Sequence, residues 1–160
     1  MIKYWSVNAP IFYHLTFYRG DCMEYYAHYD EGGDEKQLLK EHLCSVAKLT
    51  ATQILPCVKF NEIDSLILKE AVYWMGYTHD IGKYSTYFQN YLLYEKNSEL
   101  KEHAHISACY AYNLLNDFLG NKIKDEDLIK IFIFFCYLSI RLHHASLRMK
   151  GLFDENVWYK

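Results

Sequence analysis

The sequence has little proline and glycine, with 2 and 7 residues among 160. Collagen-like, linker-rich and many-turned all-β chains need more of both, so these classes are excluded. The chain also has no excess of positive charge, because 17 lysines and arginines stand against 20 aspartates and glutamates. A strongly basic coat is therefore excluded as the route to nucleic acid. Bound cations remain able to supply positive charge where a phosphate must sit.

Paired cysteines and long apolar runs are also missing. The five cysteines are an odd number without any C-x-x-C spacing, which predicts reduced thiols and a cytoplasmic protein rather than a disulfide framework or zinc knuckle. The most apolar run, residues 131–140, is about half the roughly 20 residues that a membrane span needs. Residues 1–6 lack the apolar run of a signal peptide. We expect no membrane partner.

The composition that remains is that of a globular protein. Apolar residues make up 51% of the chain and charged residues 23%, and a chain of this length buries roughly 70% of its unfolded surface. We see no internal repeat and no domain boundary, so residues 1–160 are expected to form one domain. The unusual features are 28 aromatic residues and 8 histidines.

Capping residues and apolar periodicity predict an all-α bundle of five helices that follows an irregular N-terminal arm over residues 1–35. The first helix should be capped by Asp34, with Gln37 as its capping-box partner, and should end before Pro56. Its inward face is predicted to contain four residues at helical spacing: Leu38, His42, Val46 and Leu49.

The other four helices have clearer starting points. Asp64 is the expected cap of a second helix that runs to a break at Gly82, and Ser85 that of a third helix ending at Tyr94. The fourth helix is expected over residues 102–119, ending at Gly120. The fifth should begin near residues 125–126 and run to residue 144.

The histidines follow an order that suggests a metal site. His42 lies on a helix, His79 and Asp80 form a His-Asp pair at a helix end, and His143 and His144 end a later helix. Imidazole and carboxylate together suit first-row divalent metals, and one aspartate can bridge two ions about 3.5–4 Å apart. A lone inward histidine is more often a core residue, so the order of the whole series carries the prediction. His14 and His28 are expected to be ordinary surface or core residues.

Four segments of the sequence carry a family resemblance. They read LLKEHL at residues 38–43, HDIGKYSTYFQNYL at 79–92, HAHISA at 103–108 and HH at 143–144. The series resembles the HD phosphohydrolase superfamily. More narrowly, the continuation from HDIGK into FQNYL, then HAxxSA, then HH, resembles the HD nuclease domain of CRISPR-associated type I systems. An HD-domain-like helical bundle is the fold that this resemblance implies.

The resemblance also implies roles for individual residues. One metal ion would be held by His42, His79 and Asp80, and a second by three more histidines and by Asp80 as the bridging carboxylate. These three are His103, His143 and His144. Asp80 and Lys83 are the implied catalytic residues, and the compact ammonium of Lys83 suits a phosphate oxygen and the charge that builds up on it. His105 is a rival to His103, which we prefer because it aligns with the SA continuation of its motif.

The implied activity is metal-dependent cleavage of single-stranded DNA that an RNA-guided surveillance complex has exposed. The chain has no G-x-x-x-x-G-K-[ST] phosphate loop, so the type I helicase that reaches this complex would come as a separate chain or on a lost extension. Base pairing with the guide RNA would choose the sequence. One or two ions of Mn, Ni, Co or Fe are expected rather than Mg, which prefers oxygen ligands.

Two other functions are compatible with the same residues. One is an HD phosphohydrolase that acts on nucleotides, which would need a closed pocket for base and sugar. The other is a non-catalytic metal-binding fragment that serves as a scaffold. The family has a further metal-binding aspartate well after the His-His pair, and Asp154 lies too close to be that residue. We therefore expect the domain to be incomplete at its C-terminal end.

Overall fold

The computed structural model describes residues 24–29, 36–58, 60–61 and 63–144. In these ranges it is an all-α bundle with a small two-stranded sheet, which confirms the predicted fold class. The strands are β1 (Tyr26–Tyr29) and β2 (Lys36–Leu38), and the helices are α1 (Leu39–Thr52), α2 (Ser65–Thr78), α3 (Thr86–Tyr94), α4 (Ala104–Gly120) and α5 (Glu126–Leu142). Short 3-10 turns cover Ile81–Tyr84 and Glu99–Lys101. Residues 11–18 and Asp34 lie outside the described ranges.

Three of the helix starts are the predicted ones. The side chains of Asp64, Ser85 and Asp125 each accept hydrogen bonds from backbone N–H groups in the first turn of α2, α3 and α5. Such caps satisfy donors that have no partner within the helix. These starts were predictable because each cap acts within three residues of itself.

The predicted start of the first helix is wrong. Gln37 lies in β2 rather than in a capping box, and α1 begins at Leu39. The cause is pairing with the preceding strand: β2 runs antiparallel to β1, and the Leu39 N–H donates to the Tyr25 carbonyl at 2.7 Å. The backbone before β1 therefore supplies an acceptor that a capping side chain would otherwise provide.

The predicted inward face of α1 is also wrong, by about one residue of rotation. The buried residues are Leu39, Leu43, Ala47 and Ala51, whereas Leu49 is 61% exposed. Small residues decide the rotation, because α1 approaches α2 closely where Ala47 faces Gly76. A Cβ on Gly76 would lie 3.0 Å from the Cα of Ala47. His42 consequently lies at the edge of the buried face.

The main core lies between α2, α4 and α5. Its members include Leu68, Ala71, Leu115, Leu119, Leu128, Ile129, Phe132 and Ile133. A smaller cluster of Ala27, Leu39 and Leu43 packs β1 against α1. Among the described residues, no helix has both the length and the apolar character needed to cross a membrane.

Leu115 should be essential for the stability of this core. Its side chain is fully buried, so Leu115→Ala should lower the free energy of unfolding by about 2–5 kcal/mol. Leu66→Ala is the matched control, because Leu66 is 77% exposed on α2 and should change stability by less than about 0.5 kcal/mol. Denaturant unfolding of both variants measures the difference. Equal losses would contradict the assigned core.

Candidate metal centre

Asp80 lies where α2 ends and the 3-10 turn Ile81–Tyr84 begins. Its carboxylate is buried, and five histidines and one lysine surround it. His42 and His79 place Nε2 at 3.3 and 3.4 Å from Oδ2. His103, His143 and His144 place Nε2 at 3.2, 3.0 and 3.6 Å from Oδ1. The structure therefore brings together every residue that the sequence predicted for the metal site.

The ends of four helices deliver these side chains. His42 lies in the first turn of α1, and His79 directly follows α2. His103 directly precedes α4, and His143 and His144 directly follow α5. Starts of two helices and ends of two others thus meet at one carboxylate.

The ring orientation of two histidines is fixed by the backbone. His79 Nδ1 lies 2.7 Å from the Gly76 carbonyl, and His143 Nδ1 lies 2.6 Å from the Ile140 carbonyl. A carbonyl only accepts, so each Nδ1 carries the proton and donates it. In the neutral ring the lone pair is then on Nε2, which faces Asp80. Metal-binding histidines are commonly held in this way.

The donor atoms face one another at distances that favour a cation between them. Nε2 of His42 lies 3.2 Å from Nε2 of His79, and Nε2 of His103 lies 2.9 Å from that of His144. Bonds of about 2.0–2.2 Å to a shared ion would separate ligand atoms by roughly 3.0 Å at right angles and 3.4 Å at tetrahedral angles. The geometry of the donors therefore fits a metal ion.

Two overlapping groups of residues can each hold a metal ion. One is His42, His79 and Asp80, and the other is Asp80, His103, His143 and His144. Asp80 belongs to both and uses a different oxygen in each. The same side chains thus suit one ion or two ions bridged by Asp80.

The charge states suit cation binding. Burial opposes the ionisation of Asp80, but hydrogen bonds from His103, His143 and Lys83 hold its pKa well below the usual range. Burial lowers the pKa of His42, His79 and His144, which favours their neutral, metal-binding form. His143 is the exception, because its hydrogen bond to Asp80 raises its pKa, and it must lose a proton before it can bind a metal ion.

Lys83 is almost completely buried beside the carboxylate. Its Nζ donates to Asp80 Oδ2 at 2.8 Å and to the Ala27 carbonyl at 3.3 Å. The resemblance implied contact with a scissile phosphate, but here the ammonium faces Asp80 and β1, and its side chain is only 4% exposed. Lys83 therefore compensates the charge on the oxygen shared with His42 and His79.

Ser107 is a residue of the site whose role the sequence did not reveal. Its Oγ accepts from the Gly82 N–H at 2.9 Å and donates to the His103 carbonyl at 2.8 Å. This hydroxyl joins the turn after Asp80 to the start of α4. The turn and His103 are so close that a Cβ on Gly82 would overlap the His103 carbonyl. The sequence feature that could have indicated this role was the serine four residues after His103.

Gln89 plays a similar part on the other side of Lys83. Its Nε2 donates to the carbonyls of Lys83 at 2.8 Å and Tyr26 at 3.0 Å, and its Oε1 accepts from the Tyr26 N–H at 3.1 Å. The side chain amide thus ties β1 to the turn after Asp80. The sequence feature that could have indicated this role was a glutamine on the inward face of α3.

The remaining histidines fall into three cases. His105 lies away from Asp80, with Nδ1 3.3 Å from the Tyr137 hydroxyl and Nε2 3.8 Å from Cys109 Sγ, so the geometry favours His103. His28, which we expected to be an ordinary residue, places its ring edge-on to His42 with 5.4 Å between ring centroids. His14 lies outside the described residues.

The centre opens to solvent on the side of His144. The Asp80 side chain is 3% exposed and that of His103 12%, whereas that of His144 is 53% exposed. His144 is therefore the most exposed of the six ligand residues. Two concavities of about 530 and 500 Å³ lie at residues 91–102 and include none of the ligand residues.

Comparison with known proteins adds no relative: no family model, no curated protein and no solved structure matches the chain. The resemblance of its motifs to the HD nuclease domain therefore stays a prediction. What the structure itself defines is a buried aspartate with a histidine cluster that can hold a metal ion.

His143→Ala should weaken metal binding. It removes an imidazole whose ring is held by Ile140, and loss of such a ligand should lower affinity by more than the 10–100-fold typical of outer-shell changes. His105→Ala should leave affinity unchanged, because His105 lies outside the cluster. Equilibrium dialysis with Co²⁺ and elemental analysis provide the measurement. Equal affinity in both variants would contradict the assigned ligands.

Gly82→Ala should disturb the centre without touching a ligand side chain. The added methyl group must displace the His103 carbonyl, so His103 moves and Co²⁺ affinity should fall by about 10–100-fold. Gly120→Ala is the matched control, since a Cβ there meets nothing within 4 Å. The visible absorption of bound Co²⁺ should change in the first variant only. An unchanged spectrum for Gly82→Ala would refute the close approach.

Proposed function

We propose that the chain is a metal-dependent phosphodiesterase that cleaves single-stranded DNA, as the HD nuclease of a type I CRISPR interference system. The observation that supports this most is the convergence of five histidine Nε2 atoms and one lysine ammonium on a single buried carboxylate. Imidazole and carboxylate donors in this combination suit first-row divalent metals.

Some of these side chains would bind cations, and Lys83 would balance charge. Bound divalent ions would supply the Lewis acidity and positive charge that phosphodiester hydrolysis needs. Asp80 and the histidines would hold them, and the carbonyls of Gly76 and Ile140 keep two of the rings aimed. Lys83 keeps the shared carboxylate ionised and in place. Because the ligand set is rich in imidazole, we propose Mn, Fe, Co or Ni rather than Mg.

The residues that distinguish the nuclease branch contact the centre directly. Phe88, from the FQNYL segment, packs its ring 4.7 Å from that of His103. Gln89, from the same segment, holds the Lys83 carbonyl, and Ser107, from the HAxxSA segment, holds that of His103. These contacts favour the nuclease over other HD enzymes, because residues of the distinguishing motifs hold the groups that surround Asp80.

The exposed rim favours a polymer over a nucleotide as substrate. A nucleotide-specific enzyme needs a pocket that encloses base and sugar, whereas in the described part of the chain half of the His144 side chain is open to solvent. A strand passing over the rim needs only its phosphate to reach Asp80 and its ligands.

The proposed partners follow from the same assignment. We propose that the chain works in the cytoplasm with a helicase on a separate chain or a further segment. Through the helicase it would act on strands exposed by the RNA-guided surveillance complex. Base pairing with the guide chooses the target, so a net charge of −3 is compatible with this role.

Cleavage of a labelled single-stranded DNA circle tests the proposal. With Mn²⁺, Co²⁺ or Ni²⁺ the protein should linearise the circle, and Asp80→Asn should lower the rate by at least about 10²–10³-fold because the shared carboxylate charge is lost. His105→Ala should cut like the unsubstituted protein. A circle excludes trimming from ends.

Other outcomes would identify the alternatives. Hydrolysis of nucleoside triphosphates with an intact circle would favour a nucleotide phosphohydrolase. Metal bound without hydrolysis of either substrate would favour the non-catalytic scaffold. If the protein neither binds metal nor hydrolyses either substrate, the assigned metal centre is contradicted.

A further inference from the structure

Strand β1 is bulged where it passes the metal centre. Tyr26 pairs with Leu38, but His28 pairs with Gln37, so two residues of β1 stand against one of β2. Ala27 is the extra residue, and it is buried. A bulge of this kind re-aims side chains and is frequent next to active sites.

Contacts on both sides of the bulge fix its position. Gln89 binds both the N–H and the carbonyl of Tyr26, and the buried Lys83 ammonium donates to the Ala27 carbonyl. The Tyr25 carbonyl accepts from the start of α1. The backbone that precedes His28 is therefore held by the same residues that surround Asp80, so the placement of His28 follows from the construction of the site.

His28 stands at the rim of the centre beside a ligand. Its ring lies edge-on to His42, with 5.4 Å between centroids and 84° between planes. It is exposed and belongs to neither group of residues that can hold a metal ion. His28 is thus an exposed imidazole next to the centre.

The position of Lys83 leaves a role for such a group. Charge builds up on the leaving sugar oxygen when a phosphodiester breaks, and a hydrogen-bond donor beside that oxygen would add to the stabilisation that bound ions supply. Lys83 is directed at Asp80 and Ala27 and is almost fully buried, so it is engaged within the site. His28 offers an N–H at the exposed rim.

We infer that His28 is a further catalytic residue of the proposed phosphodiesterase, whose ring N–H donates a hydrogen bond to the leaving sugar oxygen. This rests on the proposed function. In the step, a water oxygen forms a bond to phosphorus and loses one proton to solvent. The bond from phosphorus to the sugar oxygen breaks, and that oxygen keeps the electron pair and takes a proton from solvent. His28 stabilises the oxygen while its charge is greatest.

Two substitutions of His28 distinguish hydrogen-bond donation by its ring from packing of the ring against His42. His28→Phe keeps an aromatic ring against His42 but removes the N–H, and His28→Gln restores a donor on a flexible side chain. His105→Phe is the matched control, as an exposed histidine outside the cluster. Each protein is assayed with Mn²⁺ on single-stranded DNA and on bis(p-nitrophenyl) phosphate, and its bound metal is measured.

The two substrates should respond differently. With DNA, whose leaving alkoxide is a poor leaving group, His28→Phe should lower the rate by about 10²–10³-fold, and His28→Gln should recover part of this loss. With bis(p-nitrophenyl) phosphate the rate should fall by less than about 10-fold, because p-nitrophenolate spreads its charge and needs little stabilisation. Metal content should be unchanged, and His105→Phe should behave like the unsubstituted protein.

Several results would overturn this role. Full DNA cleavage by His28→Phe would show that no donor is needed at this position. An equal loss with both substrates would show that His28 acts by positioning His42, and a loss of bound metal would make it a ligand. If the unsubstituted protein hydrolyses neither substrate, the proposed function fails first and this inference fails with it.

Discussion

The charge of one buried carboxylate is the constraint on which the centre depends. Asp80 lies among helix ends with almost no access to water, and an ionised carboxylate in such a place must be compensated. Lys83 supplies one positive charge, and His143 gives a hydrogen bond that favours its own protonated form. Burial favours the neutral form of His42, His79 and His144, so these imidazoles can bind a cation beside the carboxylate.

The need to hold the Asp80 carboxylate in place also explains residues that are not metal ligands. Gln89 and Ser107 satisfy backbone groups of the turn that holds Gly82 and Lys83, and so fix Asp80 relative to α4 and β1. A buried centre tolerates few errors in position, because each polar group moved away from its partner is left unpaired. The conformation of the turn is therefore as important to the site as the ligands themselves.

The sequence could predict the parts of this protein that depend on near neighbours. The caps at Asp64, Ser85 and Asp125 act within a single turn, and the order of the histidines survives any small error in helix boundaries. The start of α1 depends on the pairing of β2 with β1, and its rotation depends on Gly76, so both depend on residues outside the helix. The Gln89 contacts with Tyr26 join residues 63 positions apart. No local pattern carries such information, so the sequence does not predict the contact of His28 with His42.

The two ligand groups correspond to two helical hairpins. His42, His79 and Asp80 belong to the hairpin of α1 and α2, whereas His103, His143 and His144 belong to that of α4 and α5. Helix α2 already shares a core with α4 and α5. Among the ligand residues, only Asp80 belongs to both groups. Ions on its two oxygens would add a second link between the hairpins at the opposite end from that core, so that metal binding would also stabilise their docking.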